Sequence, residues 1–90
     1  MRTKISSAEY EKVESLIYDA IDASNKKEAQ EYLKQIGYVV LGLDGNACNI
    51  ISKCKSLALA ASGRSKDKSS MIYFCKSELT LLKRYVDDSV

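Results

Sequence analysis

The side chains available for chemistry in this chain are carboxylates, cysteines, tyrosines and lysines, because the 90-residue sequence contains no histidine. Without an imidazole there is no Ser/His or Cys/His catalytic pair, no histidine metal ligand and no ordinary side chain that titrates near neutral pH. Three carboxylate pairs lie close in sequence, namely Glu11 with Glu14, Asp19 with Asp22, and Asp87 with Asp88. The first two pairs have helical spacing on faces away from the apolar residues, where charge is expected. No phosphate-binding loop, dinucleotide fingerprint or metal-ligand spacing accompanies them, so the sequence predicts neither an enzyme nor a cofactor or metal site.

The three cysteines, Cys48, Cys54 and Cys75, form no Cys-x-x-Cys pair. They fall inside helical patterns where a small apolar side chain would serve, so we expect free thiols that fill the core. The start of the chain lacks the apolar stretch of a secretory signal, and no apolar run approaches the roughly 20 residues that span a bilayer. These features favour a reducing, cytoplasmic location and predict no membrane contact.

Apolar residues recur at intervals of three and four along most of the chain, which has no proline to interrupt a helix. Two capping boxes, Ser6 with Glu9 and Asn25 with Glu28, mark helix starts, while Gly42 and Gly63 mark helix ends. The pattern predicts one all-α domain over 1–90, with four helices at about 7–24, 26–41, 47–62 and 68–87. Because the joints are short, neighbouring helices should be antiparallel, either as a four-helix bundle or as a three-helix core crossed by the N-terminal hairpin.

The fourth predicted helix has a wider apolar face than the other three. Its apolar residues, including Phe74, Cys75, Leu79, Leu81 and Leu82, cover nearly half of its circumference. We therefore expect this helix to be central to the fold or to be shared between two copies in a homo-oligomer. Glu78 lies within the same arc, where a carboxylate must find a cation, find hydrogen bonds, take up a proton or reach water at the edge.

Two sequence motifs invite comparison with known classes and depart from both. Leu41-Gly42-Leu43-Asp44-Gly45 before a helix is similar to the Leu-Gly-x-Asp-Ser motif of acyl carrier proteins, but glycine replaces the serine that would carry their prosthetic arm. The stretch 57–74 has the layout of a helix-turn-helix. There, Leu59 and Arg64 stand where such DNA-binding proteins have a small residue and an apolar residue. Neither family is assigned.

Several large side chains fall outside the predicted apolar stripes and are candidates for contact with another protein. Tyrosine suits such a surface because it gives a large contact area with little conformational entropy to lose. On this basis we expect a non-enzymatic binding module of the inhibitor, immunity or regulatory adaptor type. The candidate partner-binding residues are Tyr18, Tyr38, Tyr73, Leu59 and Glu78, and Leu16 flanks the first stripe beside Tyr18.

The alternative prediction is a nucleic-acid-binding regulator. Residues 1–46 hold six basic and eight acidic side chains, a net charge of −2, whereas residues 47–90 hold eight basic and four acidic side chains, a net charge of +4. The basic candidates for phosphate contact are Lys53, Lys55, Arg64, Lys66 and Lys68. Asp67 interrupts this cluster and no aromatic residue alternates with it, so nucleic acid is the less favoured partner.

Overall fold

A computed structural model describes residues 2–62 and 68–89 of the chain. Over these residues the protein is all-α, as the periodicity predicts. A 3-10 turn at Lys83–Tyr85 follows the fourth helix. The four helices are α1 Ser7–Ile21, α2 Lys26–Val39, α3 Gly45–Ala61 and α4 Lys68–Leu82.

The starts of α1 and α2 are fixed by the predicted caps. At α1 the Ser6 hydroxyl accepts from the Glu9 amide at 3.1 Å, and the Glu9 carboxylate accepts from the Ser6 amide at 2.8 Å. At α2 the Asn25 side chain accepts from the Glu28 amide at 2.9 Å, but the Glu28 carboxylate accepts from the Ser24 amide at 3.4 Å, so only half of the predicted capping box forms. Each cap satisfies amide groups that the first helical turn leaves without partners.

The helix ends differ from the predicted bounds by one to five residues. All four helices end earlier than predicted, and α3 also begins two residues earlier, at Gly45. The largest difference is in α4, which ends at Leu82 instead of 87, because Val86 is extended and bridges to Ile5. Between α2 and α3 the chain turns through Gly42 and Gly45, whose φ angles of 80° and 76° are strained for any residue with a side chain.

The helices pack as two hairpins around a continuous apolar core. Helix α1 packs most closely on α2, and α3 packs most closely on α4. Contacts of α1 with α3, together with smaller contacts of α2 with α3 and α1 with α4, join the two hairpins. The predicted stripes of α1 to α3 supply most of the buried side chains, namely Tyr10, Val13, Ile17, Ala20, Ile21, Ala29, Leu33, Ile36, Val40, Ala47, Ile51, Cys54, Ala58 and Ala61.

The prediction for the interior of α4 is only partly correct. Cys75, Leu79 and Leu82 are buried, and Met71 and Ile72 are half-buried against the core. Phe74 and Leu81 were placed in the same apolar arc, yet both are exposed. A helix on the side of a small bundle can press only one stripe against its neighbours, so the rest of a wide apolar arc is left outside. Helix α4 is therefore peripheral within a single copy of the chain.

A short N-terminal arm, residues 2–5, runs between the α2–α3 turn and the chain after α4. The Asp44 amide donates to the Arg2 carbonyl at 2.6 Å, the Ile5 amide donates to the Tyr85 carbonyl at 3.0 Å, and the Asp87 amide donates to the Ile5 carbonyl at 2.8 Å. Arg2 also forms an ion pair with Glu9 and donates to the Leu41 carbonyl at 3.2 Å. The arm thus connects three segments that are distant in sequence. Periodicity gave no indication of these connections.

Within the described ranges, no helix has both the length and the apolar character needed to cross a bilayer.

Candidate protein-interaction surface

Two groups of large apolar side chains lie at the surface instead of in the core. On α4 the exposed fractions are 67% for Tyr73, 52% for Phe74 and 39% for Leu81. At the end of α2 they are 72% for Tyr38 and 71% for Leu41. Scattered exposed apolar residues are ordinary, but grouped ones mark contact surfaces.

Tyr73, Phe74 and Leu81 together form what we call the α4 face. Phe74 and Leu81 are seven residues apart, which places them two turns apart on the same side of the helix. The Tyr73 ring meets the Phe74 ring edge to face, with the ring centroids 5.8 Å apart and the ring planes inclined by 69°. This arrangement is favourable for aromatic pairs and extends the apolar area sideways across the helix.

Basic side chains lie on α4 and on the turn after it: Arg84 is one turn from Leu81, whereas Lys76 and Lys83 lie on the opposite side of the helix from Phe74. Lys76, Lys83 and Arg84 are exposed, and among the described residues the structure gives none of them an ion pair. The Lys83 ammonium lies 5.9 Å from the centre of the Tyr10 ring, within the range of a cation–π contact. From Lys68 to Tyr85 the chain carries four basic side chains and one acidic side chain, Glu78, a net charge of +3.

Glu78 borders the α4 face on the side toward α3. It is half-buried and shares an open groove of about 420 Å³ with four residues of α3, namely Ser52, Lys53, Ser56 and Leu57. The carboxylate at the edge of the apolar arc is thus one turn from both Phe74 and Leu81.

The candidate tyrosines are not gathered into one surface. Tyr18 is half-buried against the core, and burial, followed by the charge of Glu14, raises its pKa. Tyr38 is on α2 and Tyr73 is on α4, two helices that pack on the α1–α3 pair and not closely on each other. Leu41, which lies in the turn close to Tyr38, was not among the predicted surface residues, because it continues an apolar run.

The two leucine candidates are less exposed than the tyrosines Tyr38 and Tyr73. Leu59 is half-buried and packs against the core cluster. Leu16 is buried, so its assignment to the surface was wrong. It lies beside the predicted stripe of α1, and this shows that the core takes a wider arc of α1 than the stripe alone.

The basic candidates are also divided. Lys53 is exposed in the groove beside Glu78, whereas Lys55 is half-buried and lines a different cavity of about 220 Å³ between α2 and α3. Lys68 is the first residue of α4 and is half-buried. Arg64 and Lys66 lie outside the described residues. Lys53 and Lys55 therefore do not share one phosphate-binding surface.

The cysteines occupy two kinds of environment. Cys54 and Cys75 are buried against each other at the α3–α4 contact, where the Cys75 thiol donates to the Cys54 carbonyl at 3.8 Å. Burial is the main cause that raises the pKa of Cys54 to about 12 and that of Cys75 to about 11, and the nearby Glu78 adds to both shifts, so both thiols are protonated at neutral pH. Cys48 is half-buried and lines the α2–α3 cavity. Nowhere in residues 2–62 and 68–89 do three potential metal-ligating side chains cluster.

Phe74 and Leu81, two of the three residues that define the α4 face, are predicted from the sequence to be interior, and this prediction is wrong. The signal that could have identified them is the width of the apolar arc on α4, which is greater than one packed stripe requires.

Comparison with known proteins adds no assignment: no protein-family model, no curated protein and no solved structure matches the chain.

Proposed function

We propose that this protein is a small, non-enzymatic protein-binding module that docks through the α4 face. The observation that carries the proposal is the exposure of Phe74 and Leu81 on one side of α4, with Tyr73 in edge-to-face contact with Phe74. Leaving such side chains in water forgoes burial that would stabilise the fold, typically by about 1.5–3 kcal/mol for each large apolar side chain. A partner that covers them recovers this free energy on binding.

The composition of the α4 face suits protein recognition. Aromatic side chains dominate the energetics of protein interfaces because they offer large areas with few rotatable bonds. A rigid helix that presents them needs little ordering on binding. An inhibitor, immunity protein or regulatory adaptor works in this way, and three free cysteines suit a reducing compartment such as the cytoplasm.

The proposal is tested by comparing three forms of the protein as bait for partners from the native host. Wild type, Phe74→Ala and Tyr38→Ala are immobilised, captured proteins are identified by mass spectrometry, and the purified partner is then titrated by calorimetry. Because Phe74 is exposed, its replacement by alanine should leave folding intact. It should lower the affinity for the partner by about ten-fold or more. Tyr38→Ala is the matched control, since it removes another exposed ring from a different helix.

Two results would contradict the proposed surface. If the partner binds Phe74→Ala as tightly as wild type but no longer binds Tyr38→Ala, the contact surface is at the end of α2 and not on the α4 face. Absence of any protein partner, together with retention on a polyanion column that falls steeply with salt, would favour nucleic-acid binding instead.

Self-association through α4 is a separate proposal that uses the same face. Light scattering across a concentration series distinguishes the cases: a dimer that Phe74→Ala dissociates would place a second copy on this face. A monomeric mass throughout would leave the face open to a different protein.

A further inference from the structure

We infer that the occupant of the α4 face is the end of α2 in a second copy of this chain, so that copies associate head to tail. The contacting side chains there are Tyr38 and Leu41, which we call the Tyr38–Leu41 patch. The inference rests on the proposed function, because it names the partner of the same face. Both the apolar side chains and the charges of the two surfaces support it.

The large exposed apolar side chains of the described residues fall into two patches on different hairpins. One is the α4 face and the other is the Tyr38–Leu41 patch. Helices α2 and α4 do not pack closely on each other, so neither patch covers the other within one copy. Contact between the α4 face of one copy and the Tyr38–Leu41 patch of another removes both from water, whereas contact between two like patches leaves the other patch exposed.

The α4 face has space beside it for a projecting ring. The open groove of about 420 Å³ between α3 and α4 adjoins this face at Glu78, and Leu57 supplies its large apolar side chain. Tyr38 is 72% exposed, and the neighbouring Gly37 has no atom within 4 Å of the position that a Cβ would take. The Tyr38 ring therefore stands clear of its own chain and can enter the groove of a second copy.

Opposite charges lie within the two surfaces. Lys34 is exposed one turn before Tyr38 on the same side of α2, and Glu78 lies along α4 between Phe74 and Leu81. Neither charge has an ion-pair partner in the part of the chain that the structure describes. In the head-to-tail contact the Lys34 ammonium and the Tyr38 hydroxyl both meet the Glu78 carboxylate, which answers the need of a carboxylate in an apolar arc for a cation or a donor.

The net charges of the two halves of the chain favour unlike contact over like contact. Residues 1–46, which include α1 and α2, carry −2, and residues 47–90, which include α3 and α4, carry +4. Pairing of two α4 faces would bring two positive halves together, and pairing of two Tyr38–Leu41 patches would bring two negative halves together. Only the head-to-tail contact joins halves of opposite charge.

This contact has a consequence for stoichiometry. Each copy offers its Tyr38–Leu41 patch to one neighbour and its α4 face to another, so the contact is heterologous. Association then continues past two copies, as an open chain or as a ring if the rotation between copies closes. Because only five large exposed side chains take part, the interface belongs to the small class, below about 1,200 Å², and should be weak and reversible.

Sedimentation equilibrium over a concentration series tests the inference on the full chain. The mass of wild type should rise with concentration and pass that of a dimer. Phe74→Ala and Tyr38→Ala should each weaken association by about ten-fold or more. At a concentration where neither variant associates alone, their equimolar mixture should form a dimer that does not grow. In this mixture the intact Tyr38 of one variant meets the intact α4 face of the other, and no second contact is available.

Charge exchange tests the orientation of the same contact. Lys34→Glu and Glu78→Lys should each weaken self-association, whereas their equimolar mixture should associate like wild type, because each patch then meets a face of opposite charge. Lys76→Glu is the matched control for Lys34→Glu: Lys76 is exposed on the opposite side of α4 from Phe74, so its reversal should leave association unchanged. Thermal melting of Lys34→Glu should match wild type, since Lys34 is exposed.

Several results would overturn the inference. A monomeric mass of wild type up to about 1 mM would leave the α4 face to a different protein and the proposed function to its native-partner experiment. Association lost only in Phe74→Ala would mean that copies pair α4 to α4, and association lost only in Tyr38→Ala would mean that the patches pair with each other. A mixture of these two variants that stays monomeric would also exclude the head-to-tail contact. Self-association that neither variant changes would overturn the inference as well, and the proposed function would fail with it only if the native partner also binds Phe74→Ala like wild type.

Discussion

Glu9 joins the first turn of α1 to the N-terminal arm through one carboxylate. Partial burial by itself would raise the pKa of this carboxyl, but hydrogen bonds from Arg2 and from the Ser6 amide outweigh burial and hold the pKa below its ordinary value. A lowered pKa in the folded state means that ionised Glu9 stabilises the protein above its unfolded-state pKa. This stabilisation is lost as the pH falls through the folded-state pKa.

We therefore expect Glu9→Gln to destabilise the protein at neutral pH by about 1 kcal/mol or less, since the ion pair is partly exposed. The difference from wild type should vanish in acid, where wild-type Glu9 is also uncharged. Urea unfolding from neutral pH to about pH 3 measures this, with Glu11→Gln as the control because Glu11 is exposed on the same helix. A difference that is constant with pH would show that the charge of Glu9 does not matter.

The three cysteines should differ in reactivity because reaction requires an accessible thiolate. In the folded protein, one thiol per chain should react readily with a disulfide reagent, and Cys48→Ser should abolish that reaction. Cys54 and Cys75 should react only when urea unfolds the chain, since burial keeps them protonated and inaccessible. Rapid modification of all three thiols in the folded state would mean that the α3–α4 contact opens readily.

Helix α4 allows a direct comparison of a buried and an exposed leucine. Leu81 and Leu82 are adjacent in sequence, but only one of them packs in the core. Leu82 is fully buried, whereas Leu81 is exposed. The helical rotation of about 100° between neighbours is what separates an interior side chain from one available to a partner.

Leu82→Ala should cost about 2–5 kcal/mol of unfolding free energy, because it leaves a cavity in the core. Leu81→Ala should change the free energy of unfolding by no more than about 0.5 kcal/mol. Denaturant titration of the two variants is a matched test, since the same atoms are deleted in each. Equal destabilisation would mean that Leu81 belongs to the interior and that the α4 face is smaller than described.

At the scale of the whole molecule, the N-terminal arm links the two hairpins at one end of the bundle. Ile5 is 1% exposed although it lies outside every helix, and its amide and carbonyl both bond to the segment after α4. The Asp88 carboxylate continues this linkage by accepting from the Ser7 amide at 2.7 Å. The start and the end of the described chain are therefore held together by packing and by hydrogen bonds.

Ile5→Ala should destabilise the fold by about 2–5 kcal/mol and release this linkage. Hydrogen exchange measured by mass spectrometry should show faster exchange over residues 2–7 and 85–89 than in wild type. Thr3→Ala is the control, because Thr3 is an exposed residue of the same arm. Unchanged exchange in Ile5→Ala would mean that the arm is held by its hydrogen bonds alone.

The sequence by itself determined the helical class, the number of helices and the stripes of α1 to α3. Periodicity and caps such as Ser6 with Glu9 act over a few residues, so they can be recognised without knowing the tertiary structure. Only the tertiary structure decided the roll of α4, the burial of Leu16, the exposure of Phe74 and Leu81, and the path of the N-terminal arm. A helix with apolar residues over half its surface can bury any of several stripes. Which stripe is buried depends on neighbours that are distant in the chain, and the stripe left outside is the one we assign to a partner.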